Sequence, residues 1–260
     1  MRENWGEIEI AQKGRLPHLI TLDDIRGDFH VHTKETDGRN TLEEMVEAAK
    51  GRGYDYLAIT NHTKQVTVAR GLDAKETRKL FEKIDRLNDR VKGIDILKSA
   101  EVDILENGAL DLPDEVLKEM DLTVCAVHYK FNLSKEKQTE RILRAMDRPY
   151  FHILAHPSGR LINEREPYEV DMERLMEGAK QRGCFLEVNA HPDRLDLTDI
   201  HCKRAKEMGI KIALATDAHS IGDLDFMRFG VNQARRGWLE PEDVLNTRSL
   251  KELKKLLKRA

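Results

Sequence analysis

Six histidines, two aspartates and a glutamate follow hydrophobic runs along this chain, and all nine are residue types that bind metal ions. They are His30, His32, Asp37, His62, Glu101, His128, His156, Asp217 and His219. The runs that lead to them are GDFHVHT (27–33), YLAITNH (56–62), DILKSAE (95–101), LTVCAVH (122–128), FHILAH (151–156) and KIALATDAH (211–219). Buried charged groups are costly unless they are paired or bound to metal, so this repeated placement predicts a multinuclear metal site.

The remaining histidines fit a simpler interpretation. A lone histidine is more often a hydrogen-bonded core or surface residue than a ligand. We assign His18, His152 and His201 to that class, because none of them belongs to the repeated pattern.

The hydrophobic runs predict short buried strands, and the segments between them predict helices. Apolar residues recur there at steps of three and four, as in Leu42, Met45, Val46 and Ala49. Thr41 and Glu44 form the pattern of a capping box. The predicted helices are 42–53, 74–93, 136–148, 172–183 and 198–209, and a further strand is CFLEVNA (184–190).

Seven strand–helix repeats without a dinucleotide fingerprint predict an α/β fold. The expected form is a distorted parallel (β/α)7 TIM-like barrel, in which functional residues lie at the C-terminal ends of the strands. The nine polar residues occupy those ends. We therefore expect them to meet at one end of the barrel.

Composition excludes several other classes of protein. The chain has 260 residues with 44 basic and 47 acidic side chains, a net charge of −3, so any affinity for nucleic acid must be local. Cys125, Cys184 and Cys202 have no pairing spacing and predict small core residues in a reducing compartment. Without a membrane-length apolar stretch or a signal-peptide core, the sequence predicts a cytoplasmic protein with no membrane partner.

Several motifs resemble those of the polymerase and histidinol phosphatase (PHP) domain family. They are DFHVHT, AITNH, SAEVDI, VCAVH, LAHPSGR and ATDAHS. The similarity extends in particular to the C-terminal half of bacterial family X DNA polymerases, through EVDIL (101–105), LDLPDEVL (110–117), REPYEVD (165–171), MRFGV (227–231) and ARRGWL (234–239). The resemblance covers essentially the whole chain. It implies a linker-like segment at 1–26, a PHP phosphoesterase domain at 27–260, and a family X polymerase domain as an expected partner.

The resemblance also implies how the ligands are shared among two to three divalent metal ions. His30, His32, Glu101 and Asp217 would bind the first metal. Glu101 would bridge to the second, which His128 and His156 complete, while Asp37, His62 and His219 would hold the third. Mixed imidazole and carboxylate ligands fit zinc, manganese or iron.

Phosphoester hydrolysis is the reaction that such a cluster supports. Two metals about 3.5–4 Å apart can activate a water as hydroxide and clamp the phosphate oxygens. Beside Glu101 we expect Arg160 to be catalytic and to bind the substrate phosphate, with Lys130, Arg39 and Lys64 as further substrate-binding candidates. Lys34, Arg70, Arg165, Arg194 and Arg228 lie in or near loops of the same face, and each alone is also compatible with an ordinary solvated charge.

Two positions depart from the family pattern. Asn61 stands where an aspartate usually precedes the third-metal histidine, and a neutral amide would orient a ligand less well, so we expect weaker binding at the third site. His191 replaces an asparagine, and we assign it no role.

Three functions remain open. The first is a metal-dependent phosphoesterase at DNA 3′ ends, acting as 3′→5′ exonuclease and 3′-phosphatase, with cleavage at abasic sites as a further activity. The second is a small-molecule phosphatase such as histidinol phosphatase. The third is a structural PHP module that needs a polymerase half. The extent of the resemblance favours the first.

Overall fold

The computed structural model describes residues 4–258 and shows an α/β fold in which short parallel strands alternate with helices. Within the described residues there are eight strands: β1 Gly27–Asp28, β2 Tyr56–Ile59, β3 Asp95–Lys98, β4 Glu101–Asp103, β5 Val124–Ala126, β6 Ile153–Leu154, β7 Phe185–Asn189 and β8 Ile212–Ala215. They form a three-stranded sheet in the order β1-β2-β3 and a five-stranded sheet in the order β4-β5-β6-β7-β8. The predicted parallel α/β architecture is confirmed.

The run 95–101 was predicted to be one strand, and this prediction was wrong. The chain leaves the first sheet after Lys98 and enters the second at Glu101. The amide of Glu101 donates to the carbonyl oxygens of Thr60 and Asn61, both at 3.2 Å, so the backbone still touches the end of β2 as it changes sheets. A hydrophobic pattern indicates that residues are buried, but it does not indicate where a segment changes its hydrogen-bonding partner. Glu101 therefore begins a strand instead of ending one.

Isolated bridges join the two sheets at both seams. Val31 pairs with Ala218, and His62 pairs with Glu101, in each case in parallel. Strand pairing within the described residues thus runs as two sheets linked by single bridges, and closure of the predicted distorted (β/α)7 barrel stays a prediction.

Both sheets nevertheless enclose one apolar interior. Tyr56 and Leu97 of the first sheet belong to the same cluster as Val124, Ile153 and Ala213 of the second. A second and larger cluster lies between the strands and the helices. The strand ends are therefore held by packing on both faces.

The five predicted helices lie close to their predicted positions, and the structure adds four others among the residues it describes. Those described are α1 Glu7–Gln12, α2 Leu42–Gly51, α3 Ala74–Arg90, α4 Asp114–Leu117, α5 Lys135–Met146, α6 Met172–Arg182, α7 Asp199–Met208, α8 Met227–Arg236 and α9 Leu250–Leu256. The predicted helices are α2, α3, α5, α6 and α7. The capping box at the start of α2 is confirmed: the Glu44 amide donates to Thr41 Oγ1 at 3.2 Å, and the Thr41 amide donates to Glu44 Oε2 at 2.8 Å. All three cysteines are buried, as predicted.

The segment before β1 lies partly on the surface and partly in the core. α1 has no buried residue, whereas Ile20 and Ile25 belong to the main hydrophobic cluster. The predicted 1–26 segment includes residues 1–3, and the predicted 27–260 domain includes 259–260, which lie outside the described residues. Among residues 4–258, no helix is long and apolar enough to span a membrane.

Candidate metal centre

The nine predicted ligands converge at one site beside a cavity of about 260 Å³. Six of them line the cavity: Asp37, His62, Glu101, His128, Asp217 and His219. His30, His32 and His156 lie beneath them and are almost completely buried. Residues separated by nearly 190 positions in sequence are thus brought together by the strand ends.

Donor atoms of eight of the nine residues, all except His156, form three overlapping groups, within each of which they lie no more than 4.8 Å apart. The groups are His32, Asp37, His62 and His219; then His30, His32 and Asp217; and then His62, Glu101 and His128. Two of them largely match the sets that the family resemblance implied for the third and first metals. His32 and His62 are each shared by two groups, which the sequence did not indicate.

Glu101 lies at the centre of the site and uses both carboxylate oxygens. Its Oε2 is 2.8 Å from His62 Nδ1, while its Oε1 is 2.9 Å from His156 Nε2 and 3.1 Å from His128 Nε2. A carboxylate whose two oxygens face different histidines has the arrangement needed to bridge two ions.

Two aspartates complete the ring of acids. Asp217 Oδ1 lies 3.2 Å from His32 Nε2 and 3.5 Å from His30 Nε2. Asp37 Oδ2 is 3.3 Å from both His62 Nε2 and His219 Nε2. Asp217, at φ 55°, adopts a left-handed backbone conformation, which is unfavourable for most residues and is concentrated at functional sites.

Charge coupling in the cluster separates the histidines into two classes. Burial opposes the charged form of both His62 and His128. Glu101 together with Asp37 outweighs burial and raises the pKa of His62 to about 10, and Glu101 together with Asp103 raises the pKa of His128 to about 9. Burial, reinforced by neighbouring positive groups, lowers the pKa of His32 and of His156 to about 3. In the absence of a cation, protons thus neutralise part of the acidic charge.

Several buried donor atoms support a metal more directly. The atoms without a hydrogen-bond partner among the described residues include His30 Nε2, both ring nitrogens of His32, His62 Nδ1 and Glu101 Oε2. The last two are 2.8 Å apart but do not have hydrogen-bond geometry. Buried polar atoms are normally satisfied. Their convergence, and their mixture of imidazole and carboxylate, fit divalent transition metals.

The structure adds two buried acids that the sequence analysis missed. Glu187 Oε1 lies 2.7 Å from His30 Nδ1, and its Oε2 accepts a hydrogen bond from the His156 amide at 2.6 Å. Asp103 Oδ1 lies 3.2 Å from His128 Nδ1. Carboxylates behind ligand histidines fix the ring and its tautomer. Their sequence signal was an acid inside an apolar strand, at CFLEVNA and at EVD.

Asn61 contacts the loop after β1. Its Oδ1 accepts from the Thr33 amide at 2.8 Å and from Thr36 Oγ1 at 2.9 Å, and its Nδ2 donates to Thr33 Oγ1 at 2.9 Å. This loop delivers Asp37 to the site. His191 packs edge-on against Phe226, with ring centroids 5.1 Å apart.

The predicted cations are not placed alike. Lys130, Arg39 and Lys64 are exposed on the surface. Arg160 directs its guanidinium to the carbonyl oxygens of Arg194 and Leu195, at 2.7 and 2.5 Å.

Arg194, which the sequence analysis did not distinguish from other loop cations, lines the cavity instead. Its Nε is 3.2 Å from Asp217 Oδ2, and its buried Nη1 has no hydrogen-bond partner among residues 4–258. The side chain therefore brings an unsatisfied donor to the site.

Comparison with known proteins places this site in a family. Residues 28–191 match the PHP domain. The chain is 42% identical over 259 residues to the DNA polymerase/3'-5' exonuclease PolX of Bacillus subtilis strain 168, a match that covers 100% of this chain and 45% of that protein. It is 29% identical over 231 residues to a protein of Thermoanaerobacter sp. strain X514 named "probable phosphatase", covering 85% of this chain and 89% of that one.

A solved structure has a related fold. Histidinol phosphate phosphatase of Lactococcus lactis, complexed with zinc, L-histidinol and phosphate, superposes with a TM-score of 0.57 at 15% identity, covering 83% of this chain and 94% of that one. At this identity the likeness concerns the fold alone.

Fold, site and comparisons together define the class as metal-dependent phosphoesterases, which are hydrolases. The chain belongs to the PHP domain family. It spans a little under half the length of the Bacillus relative that it matches from end to end.

Proposed function

We propose that this protein hydrolyses phosphoesters at the 3′ ends of DNA with two or three bound divalent metal ions. The observation that supports this most is the juxtaposition of six predicted ligand residues with Arg194 around one cavity, above three further buried histidines. The cluster supplies ligands for cations, and Arg194 supplies a fixed positive charge beside them.

The protein's own groups would then have distinct tasks. Bound metals supply Lewis acidity and activate water in phosphoester hydrolysis. Glu101 would hold two ions in register because its oxygens face different histidines. Arg194, which lines the cavity, would contact the phosphoryl oxygens, where negative charge develops during displacement. Glu187 and Asp103 would keep His30 and His128 oriented.

The similarity to the Bacillus polymerase/exonuclease favours DNA ends as the substrate, because it extends over the whole of this chain. The match to the Bacillus polymerase/exonuclease includes every region of this chain, from the segment before β1 to α9. The rim of the cavity adds a second support: it includes Val68, which is 94% exposed, and the half-buried Val66. This apolar surface suits the sugar or base of a nucleotide. A family X polymerase domain is the partner that the same similarity suggests.

A small-molecule phosphatase is the second candidate. Its support is the match to the Thermoanaerobacter protein named as a phosphatase, which covers most of both chains. Histidinol phosphate is the specific substrate to test, given the fold likeness to the Lactococcus enzyme.

One panel of substrates separates the two. The protein would be loaded with zinc, manganese or iron and incubated with a 3′-labelled oligonucleotide, the same oligonucleotide carrying a 3′-phosphate, an abasic-site duplex, and histidinol phosphate. We expect turnover of the first two substrates. Turnover of histidinol phosphate alone would replace the proposal with the second candidate, and no turnover with any metal would favour a structural module.

A further inference from the structure

We infer that Arg160 is a positioning residue that holds the loop carrying Arg194 against the metal centre. This inference deepens the proposed function and rests on it for the role of Arg194. It concerns residues 193–197, which we call the arginine loop, and residues 156–162, which follow β6.

Arg160 bonds to the backbone of the arginine loop. Its Nε donates to the carbonyl oxygen of Arg194 at 2.7 Å, and its Nη2 donates to that of Leu195 at 2.5 Å. Hydrogen bonds from a charged donor are stronger than neutral ones. A guanidinium whose donors are occupied by two consecutive carbonyl groups is suited to fix a turn.

Asp196 of the arginine loop makes a second set of hydrogen bonds to the loop after β6. Its Oδ2 accepts from the amide and hydroxyl of Ser158, each at 2.8 Å, and from the Gly159 amide at 3.1 Å. Asp196 is completely buried. The two loops therefore hold each other through an arginine in one and an aspartate in the other.

The arginine loop needs such support. Leu195 has φ 43°, a left-handed conformation that a branched aliphatic residue adopts only when its surroundings enforce it. Arg160 bonds the carbonyl group of this same residue. Because Arg194 precedes it directly, a relaxed Leu195 would turn the Arg194 side chain away from Asp217 and the cavity.

Arg194 is among the residues that line the cavity, and Arg160 is not. The donors of Arg160 that the structure shows in use bond the backbone of the arginine loop. The geometry therefore divides the work between two arginines: Arg194 faces the phosphate, and Arg160 fixes its loop.

The test combines Arg160→Ala, Arg194→Ala and the double variant in the metal-loaded full chain. Turnover is measured on the 3′-ended oligonucleotide and on bis(4-nitrophenyl) phosphate, and affinity for inorganic phosphate is measured by calorimetry. Arg194→Ala should lower turnover by about a hundredfold to a thousandfold, as for loss of one transition-state contact. Arg160→Ala should cause a smaller loss of the same kind, and the double variant should be no worse than Arg194→Ala.

Hydrogen exchange gives a readout that does not depend on turnover. The amides of Arg194 and Leu195 both donate to the His191 carbonyl oxygen, at 2.9 and 3.0 Å, and should be protected in the parent protein. Arg160→Ala should speed exchange in 193–197 by about tenfold, because two hydrogen bonds that hold the loop are lost. Arg160→Lys should lie between the two, since an ammonium lacks the planar fork.

Arg235→Ala is the matched control. Arg235 also donates to the carbonyl oxygens of two consecutive residues, Leu19 and Ile20, but it does so away from the cavity. It should leave exchange in 193–197 and turnover unchanged.

Two results would overturn the inference: parent-like exchange in 193–197 for Arg160→Ala, or a double variant weakened by the product of the single effects. If the oligonucleotide is not cleaved but the nitrophenyl ester is, the proposed DNA substrate is wrong. The comparison of the single and double variants on the nitrophenyl ester still decides the role of Arg160. If neither is cleaved, phosphate affinity and exchange decide it.

Discussion

At the scale of single residues, Glu101 is the side chain on which most others in the site depend. It is 1% exposed, and three histidines lie within 3.1 Å of its two oxygens. It also marks the point where the chain passes from one sheet to the other. The residue that joins the donor groups therefore sits at a structural seam, where its backbone is fixed by Thr60 and Asn61.

Glu101→Gln should abolish phosphoester hydrolysis while the protein stays folded. The amide keeps the volume of the side chain but loses the charge and one acceptor oxygen, so two ions can no longer share it. Turnover, bound metal and the thermal unfolding midpoint would be measured together. Glu106→Gln, an exposed glutamate a few residues along the chain, is the control. A Glu101→Gln protein with parent turnover would show that Glu101 does not bridge.

Glu187→Gln should lower zinc affinity by about tenfold to a hundredfold, the usual effect of losing a buried partner behind a ligand histidine. The carboxylate of Glu187 fixes both the ring of His30 and the backbone of His156. Competition with a chromophoric chelator would give the affinity, with exposed Glu177→Gln as control. An unchanged affinity would mean that packing alone orients His30.

At the scale of elements, the sequence predicted which strand ends and loops meet but not how they are held. Periodicity placed α2, α3, α5, α6 and α7 within a few residues, because each has one apolar face, but it did not predict α8. It could not divide 95–101 into two strands, since both parts are buried and only their partners differ. Glu187 was missed, and Arg194 was not distinguished from the other loop cations, for a related reason: their roles depend on contacts across strands and loops that sequence spacing does not encode.

The same limit applies to Asn61. The sequence suggested that its amide weakens a ligand histidine, whereas its side chain bonds to Thr33 and Thr36. Its structural role is to hold the loop that ends in Asp37. An aspartate could accept the same hydrogen bonds from the Thr33 amide and the Thr36 hydroxyl group.

Asn61→Ala should therefore release this loop and weaken metal binding at the group formed by His32, Asp37, His62 and His219, whereas Asn61→Asp should bind within about twofold of the parent. Removing one buried hydrogen-bonding partner commonly costs about 1–3 kcal/mol, so we expect at least about fivefold weaker binding for the alanine variant. Stepwise metal titration followed by calorimetry would measure this. A large gain in affinity for Asn61→Asp would instead favour direct control of the histidine by a carboxylate.

At the scale of the whole molecule, the metal centre lies where the two sheets meet, so metal binding and folding should be coupled. Asp217 and His219 follow β8, His30 and His32 follow β1, and Glu101 begins β4. The bridges Val31–Ala218 and His62–Glu101 lie among these residues. Ions held here would take ligands from both seams, and they would offset the cost of burying several carboxylates and imidazoles together.

Zinc should therefore raise the thermal unfolding midpoint, and the increase should shrink as pH falls. A ligand present at a hundred times its dissociation constant stabilises the folded state by about 2.7 kcal/mol. Because the pKa of His62 is raised to about 10 and that of His128 to about 9, both imidazoles are protonated in the metal-free protein at pH 7.5, and zinc must displace these protons. At lower pH the higher proton concentration competes more strongly with zinc for these imidazoles. Zinc affinity therefore falls, and the stabilisation by zinc falls with it.

Scanning calorimetry of chelator-treated and zinc-loaded protein at pH 7.5 and 5.5 would measure both midpoints, and Glu101→Gln should show a smaller zinc effect at each pH. Equal unfolding midpoints with and without zinc at pH 7.5, in protein shown to contain the metal, would show that zinc binding does not stabilise the fold.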